Sequence, residues 1–294
     1  EMFLKAYALA SANKGLIHES FSSNSNWSYD WRDYVLIDDS NFHSAVDLWF
    51  DNQADANATY GHISDWNTSA VTDMSEAFKG RTEFNEDISN WDVSNVTNMA
   101  QMFTAAHSFN QPVGNWEVSS VKKLFQIFNG AKAFNQSIHD WNVSAVKSFY
   151  GIFSGAHSFN QPIGNWDISL VTSFGYFLSS ASGLSNSNKG QIHENFAYNP
   201  HWSNDWRQYV IIDNSNFQKA VDLWFDNQTA ATATYGHISD WNVSAVTNMS
   251  QAFRDRSSFN EDISSWDVSN VVRMNSMFYG ATSFNQDISS WDVS

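Results

Sequence analysis

Hydrophobic and polar positions recur along the 294-residue chain with a constant 25-residue period. Counted from a tryptophan, an isoleucine or valine stands three positions before it and a valine five after it. A methionine, leucine or phenylalanine then stands eight after it, and a phenylalanine or leucine twelve after it. The tryptophans that set this period are Trp66, Trp91, Trp116, Trp141, Trp166, Trp241, Trp266 and Trp291. A constant period of this length is typical of repeat proteins, in which each unit buries its apolar face against its neighbours.

The spacing within one repeat predicts the elements of each coil. The apolar positions after the tryptophan are three and four residues apart, as in VTNMAQMF at 96–103, which predicts one short helix per coil. The segment FNxxIxxWxVS has apolar residues three apart, which excludes a long amphipathic strand. We expect a strand of a few residues near the tryptophan, paired in parallel with the next coil. The predicted fold class is therefore an α/β repeat.

A longer duplication overlies the short repeat. Residues 14–119 match residues 189–294 at a constant offset of 175, which is seven times 25. Both ends of the chain are cut inside a repeat, so we expect an excerpt of a longer array or ends that another molecule covers. The predicted segments are 1–13, the end of a preceding coil; 14–60, a helical lead-in; 61–180, a five-coil solenoid; 181–235, a second helical lead-in; and 236–294, a second, truncated solenoid.

The lead-in segments lack the 25-residue tryptophan and carry a helical pattern instead. Apolar residues at i, i+3, i+4, i+7 and i+8 predict an amphipathic helix from Asn41 to about Ala54, and its copy from Asn216 to about Thr229. A shorter helix is predicted in KGLIHESF at 14–21. These segments are therefore expected to be mainly helical.

Composition narrows the range of partners. The chain has 31 acidic and 15 basic residues and a formal net charge of -16, which would repel nucleic-acid phosphates and anionic lipid surfaces. It contains no cysteine, so disulfides and thiolate metal sites are excluded. No run of 18 apolar residues occurs, so we expect no membrane insertion.

Polar columns accompany the apolar ones. An asparagine follows the phenylalanine of most coils, and a serine stands three positions after the tryptophan, where it can bond to turn backbone or cap the predicted helix. The acidic column directly after the tryptophan is interrupted by asparagines, so a solvated edge is favoured over calcium bridging. The histidines have no partner at metal-ligand spacing. We expect no metal, no cofactor and no catalytic residues.

Aromatic residues are the main candidates for a binding site. The tryptophan column would resemble a sugar platform, but a residue present in every coil is typical of a core. Trp27 and Trp31, with their copies Trp202 and Trp206, lie outside the repeat columns. These four are the candidate ligand-binding residues, and burial would instead indicate a capping role.

FNEDISNWDVSNVTNM, FNQPVGNW and MFYGATSFNQDISSWDVS resemble the repeats of the BspA-like leucine-rich-repeat surface proteins. The resemblance covers eight coils and the lead-in at 45–66, which reappears in mid-chain at 220–241. It implies a right-handed, leucine-rich-repeat-like solenoid that is secreted or displayed on a cell surface. It brings no catalytic residues.

Two functions follow as hypotheses. The first is a non-enzymatic extracellular scaffold, structural or adhesive, which associates end to end into fibres or a surface layer. The second is a module that binds an extracellular protein, peptide or glycan, through a face of the solenoid or through the four tryptophans outside the columns.

Overall fold

The computed structural model describes residues 2–3 and 9–293. Its contacts divide the chain into two compact units, Glu1–Gln161 with Trp166–Leu184, and Pro162–Asn165 with Ser185–Ser294. Of the coil end predicted at 1–13, residues 1 and 4–8 lie outside the described residues.

Each unit contains one helical segment. In the first, the helices are α1 (Ser11–Phe21), α2 (Phe42–Asp51) and α3 (Gln53–Tyr60), with 3₁₀ turns at Arg32–Tyr34 and Ile63–Asp65. In the second, they are α4 (Asn186–Phe196), α5 (Phe217–Asp226) and α6 (Gln228–Tyr235), with 3₁₀ turns at Arg207–Tyr209 and Ile238–Asp240.

The amphipathic helix predicted from Asn41 is confirmed as α2, but it ends earlier than predicted. Asn52 leaves helical geometry with φ -151° and ψ 83°. Its side-chain oxygen accepts a hydrogen bond from the Asp55 N–H at 3.3 Å and so begins α3. Gly61, with φ +81°, ends α3. An asparagine inside the predicted helix therefore divides it into two.

The predicted fold class, an α/β, right-handed leucine-rich-repeat-like solenoid with a strand and a helix per coil, is wrong. Among the described residues no β-strand occurs, and helices lie only within 11–65 and 186–240. Within the stretch 96–103, where the helix VTNMAQMF was expected, Gln101 has φ of +60°. Ala105, just after this stretch, has φ of +58°. Each coil is a series of turns, and single parallel bridges such as Asp73 with Asn98 join neighbouring coils.

Hydrogen bonds between coils explain why this stretch is not helical. The N–H groups of Met99, Gln101, Phe103 and Ala105 donate to carbonyls of the next coil at 2.7–3.0 Å. The N–H groups of the intervening residues, such as Met102 and Thr104, donate three residues back within their own coil. An α-helix would use every N–H within one coil, so bonding between coils and helix formation exclude one another here.

Aromatic columns fill the interior that the stacked coils enclose. Phe103 stacks on Phe128 of the next coil at 5.6 Å and on Phe109 of its own coil at 3.9 Å. The column tryptophans from Trp66 to Trp266 are 3–4% exposed, which confirms their assignment to the core. Each column tryptophan after the first in its unit donates its indole N–H to a carbonyl 28 residues earlier, as Trp141 does to Val113 at 3.0 Å.

The polar columns satisfy turns, as predicted for asparagine and serine. The Asn110 N–H donates to the Asn85 side-chain oxygen at 2.8 Å, and this bond repeats one coil later from Asn135 to Asn110. Since no α-helix occurs in the described residues of the coils, the expected serine cap is wrong. Instead the N–H and hydroxyl of Ser94 donate to the Asp92 carboxylate at 3.0 and 2.6 Å and close a turn. An asparagine in place of the aspartate accepts the same two bonds, as Asn142 does from Ser144.

Two positions with left-handed backbone should be more stable with glycine than with alanine. Ala105→Gly should raise, and Gly130→Ala should lower, the free energy of unfolding by about 1 kcal/mol, because both positions have φ near +60° and only glycine adopts it without strain. A Cβ on Gly130 would lie 3.6 Å from Ala105, an ordinary contact. Urea denaturation measures both effects. Ala145→Gly, at a position without positive φ, is the control and should not stabilise the protein. Equal stabilisation by Ala105→Gly and Ala145→Gly would contradict the argument.

Candidate functional site

Trp27 and Trp31 lie together in an aromatic cluster of the first unit. Their ring centroids are 5.6 Å apart at an interplanar angle of 84°. Tyr29 lies 5.3 Å from the first and 5.1 Å from the second. The backbone N–H of Trp27 donates to the Asn24 carbonyl in the turn after α1, at 2.8 Å. Both tryptophans are half-buried, so each presents only part of its ring to solvent.

A buried histidine holds this cluster against the helices. The indole N–H of Trp27 donates to Nδ1 of His18 at 3.0 Å, and Nε2 of His18 lies 2.9 Å from the Ala58 carbonyl oxygen. Because an indole nitrogen only donates, Nδ1 must accept and Nε2 must carry the proton. The neutral imidazole therefore joins α1, the tryptophan turn and α3.

The second unit repeats this arrangement. Trp202 and Trp206 lie 5.5 Å apart at 81°. The indole N–H of Trp202 donates to Nδ1 of His193 at 3.0 Å, and Nε2 of His193 lies 3.1 Å from the Ala233 carbonyl oxygen. Asn204 replaces the tyrosine of the first cluster. In both units, therefore, the indole nitrogen of the first tryptophan, which is the only polar atom of its side chain, is bonded inside the fold. Ligand binding by the four tryptophans stays a prediction.

A carboxylate network that sequence reasoning missed lies beside each cluster. Glu19 accepts hydrogen bonds from the Tyr60 hydroxyl at 2.8 Å and from the Asn41 amide at 3.3 Å. Burial, reinforced by the bond to Glu19 and its charge, raises the pKa of Tyr60 well above its ordinary value. A cavity of about 330 Å³ adjoins Glu19, between Leu16 and Leu36. The signal was available, because the same glutamate, tyrosine and asparagine recur at the equivalent positions of the second copy.

The second unit also has a polar groove of about 550 Å³, lined by Asn214, Gln218, Asn248, Ser250 and Arg273. In the part of the chain that the structure describes, the buried hydroxyl of Ser250 has no hydrogen-bond partner. Asp39, His43 and Asn98 hold three of these positions in the first copy, where Nε2 of the histidine lies 2.7 Å from the Ser75 carbonyl oxygen. Comparison of the two copies shows these three substitutions but not the groove that they line.

His62 and His237 serve local turns at the ends of the helical segments. Nδ1 of His62 lies 2.8 Å from the Ser64 hydroxyl, and His237 repeats this contact with Ser239. Over residues 2–3 and 9–293, no group of three or more histidine, aspartate or glutamate side chains is placed to hold a metal ion. Within the same residues, the helices are too short or too polar to cross a bilayer.

His193 should make stability depend on pH. Burial lowers its pKa below the ordinary value of 6.5, and protonation of Nδ1 would break the bond from Trp202. Because the folded state then takes up a proton less readily than the unfolded state, the stabilisation is complete above about pH 6.5 and is lost as pH falls through the lowered pKa. We therefore expect a lower thermal midpoint at pH 5 than at pH 7. The charge of Asp205 raises the pKa of the imidazole and the charge of Arg207 lowers it, so burial is the main cause of the shift.

His193→Gln is the control, since glutamine does not titrate. In this variant the decline between pH 7 and pH 5 should be smaller than in the wild type. An identical decline in both proteins would show that other groups cause it.

Comparison with protein-family models matches residues 44–147, 113–199 and 208–294 to the family described as "Mycoplasma protein of unknown function, DUF285". No curated protein and no solved structure shows a match to the chain. The three matches agree with the repeats on which the BspA-like resemblance rests, and together they span more than half of the sequence. The chain therefore belongs to this family of tandem-repeat proteins.

Proposed function

We propose that this chain is a non-enzymatic extracellular scaffold with a structural or adhesive role. The observation that carries the proposal is the use of the repeated residues in contacts between coils. The column phenylalanines and tryptophans are buried, and the column asparagines bond to the backbone of the next coil. Residues that recur in every coil are thus occupied in building the stack.

Two carboxylates with shifted pKa values, both in turns of the coils, support the same interpretation. Asp92 and Asp267 have a lowered pKa because the serine two residues later donates to each carboxylate. Both lie in turns on an exposed edge, and each bond lies within one coil. A shifted carboxylate in a cleft beside a second reactive group would instead favour catalysis, so these shifts are those of structural turns.

Self-association is part of the proposal. Toward the following coil a coil presents mainly N–H groups, and the following coil presents the matching carbonyls, as between 99–105 and 123–129. Two such sides are complementary without being identical, so contact between copies would be head to tail and would continue into a filament. The net charge of -16 opposes this association at low salt, because copies repel one another until salt screens them.

Surface exposure and self-association can be tested together. An antibody against this chain should label intact source cells without permeabilisation, and external protease should remove the label. In sedimentation velocity experiments the purified chain should form larger species as protein concentration and salt rise. Labelling only after permeabilisation would contradict the extracellular location, and a monomer at all concentrations would contradict assembly.

A second candidate function is a binding module for an extracellular peptide or glycan. The half-buried, closely spaced rings of Trp31 and Tyr29 favour it. If it is correct, Trp31→Ala should weaken binding of a ligand found by peptide and glycan arrays at least about fivefold. The control is Leu170→Ala, at an exposed coil position; equal loss in both variants would exclude the cluster.

A further inference from the structure

Three consecutive coils depart together from the repeat at one set of positions, six to ten residues after the tryptophan. These positions read KKLFQ at 122–126, KSFYG at 147–151 and TSFGY at 172–176. The other coils read TDMSE at 72–76, TNMAQ at 97–101, TNMSQ at 247–251 and VRMNS at 272–276. Two of the three departing coils gain lysines here, and all three gain aromatic residues, in a chain with a net charge of -16.

The stacking of the coils places these substitutions beside one another. The Gln126 N–H donates to the Tyr150 carbonyl at 2.8 Å, and the Thr172 N–H donates to the Lys147 carbonyl at 2.9 Å. Equivalent positions therefore lie in adjacent coils. Lys122, Lys123 and Lys147 are exposed, and within residues 2–3 and 9–293 none of the three forms an ion pair.

Two tyrosines extend this face. Tyr150 and Tyr176 are 40% and 65% exposed, and their rings meet at 5.6 Å and 81°. Gly175 makes room for the first ring, because a Cβ at that position would lie 3.0 Å from the Tyr150 Cδ2 atom. The glycine and the two tyrosines thus form one local arrangement. We call the set Lys122, Lys123, Phe125, Lys147, Tyr150 and Tyr176 the lysine–tyrosine face.

We propose that the lysine–tyrosine face binds an acidic polysaccharide, one that carries carboxylate or sulfate groups. The ammonium groups supply counter-charges along a row of coils, and the exposed rings supply flat apolar surfaces of the kind that pack on the C–H face of a pyranose. A linear polymer matches a site that extends over three coils. This role adds to the proposed scaffold function and does not depend on it.

Two other anionic polymers fit the face less well. A single-stranded nucleic acid stacks successive bases on a row of aromatic side chains, whereas this face exposes one edge-to-face pair, Tyr150 and Tyr176. An acidic peptide in extended conformation would bind through free backbone groups, but the Gln126 N–H and the Tyr150 carbonyl are already bonded to each other. The polysaccharide needs only side chains, and these are what the face presents.

Binding to immobilised polygalacturonate and heparin, with neutral dextran as the blank, tests the proposal by biolayer interferometry. Lys122→Thr, Lys123→Asn and Lys147→Thr together restore residues that other coils carry, so the fold should be retained and the thermal midpoint should change little. The wild type should bind at least one acidic polymer, more weakly as salt rises. The triple variant should bind at least about tenfold more weakly.

Single substitutions separate the face from general charge. Lys147→Thr should reduce affinity, whereas Lys132→Thr, which removes the same charge from an exposed coil position that is threonine at 82 and 282, should leave affinity within about twofold. Tyr150→Ser with Tyr176→Gln should reduce affinity about fivefold even at high salt, since stacking is not screened.

The proposal is overturned if the wild type binds neither acidic polymer or if the triple variant binds as tightly as the wild type. Equal loss in the two lysine single variants would also overturn it. Tighter binding of polyglutamate or single-stranded DNA would assign the face to another class of partner and overturn the polysaccharide. Preference for polygalacturonate or for heparin identifies the anionic group. None of these results bears on surface location or self-association, which are measured separately.

Discussion

The hydrogen bonds from alternate backbone N–H groups of one coil to carbonyls of the next determine the rest of this structure. They require left-handed geometry at positions such as Gln101 and Ala105 and therefore exclude a helix in that stretch. They also fix the register between coils, so that column phenylalanines and asparagines lie against their equivalents in the adjacent coil. A purely apolar core would tolerate small shifts between neighbours, whereas this ladder does not, because a shift would leave buried N–H groups without acceptors.

The helical segments provide the acceptors that a first coil lacks. Asp39, which precedes α2, accepts hydrogen bonds from the N–H groups of Thr72 and Asp73 at 2.7 and 3.0 Å. In the other copy, Asn214 accepts from Thr247 and Asn248 at 2.9 and 3.1 Å. A side-chain oxygen thus replaces the carbonyl that a preceding coil would offer. This accounts for a helical segment before each run of coils and for the tolerance of either aspartate or asparagine there.

The period, the core columns and helix α2 could be predicted from the sequence, because burial alone produces those patterns. The coil conformation could not. Val96, Met99 and Phe103 have helical spacing, but they are brought to one side by turns with alternating backbone geometry, and periodicity does not distinguish the two. Four glycines at the position of Gly130 were the available sign of left-handed backbone. The lysine–tyrosine face could not be predicted from the repeat pattern, because it consists of residues in which three coils differ from the others.

The separation between coil interiors and coil surfaces also affects how such a gene can vary. A whole coil added or removed restores every bond of the ladder, because the N–H groups of any coil match the carbonyls of any other. Loss of a single codon within a coil would instead displace one phenylalanine from its column and break the register on one side. Recombination between repeats should therefore yield folded products whose lengths differ by whole coils, each free to carry a different surface on the same interior.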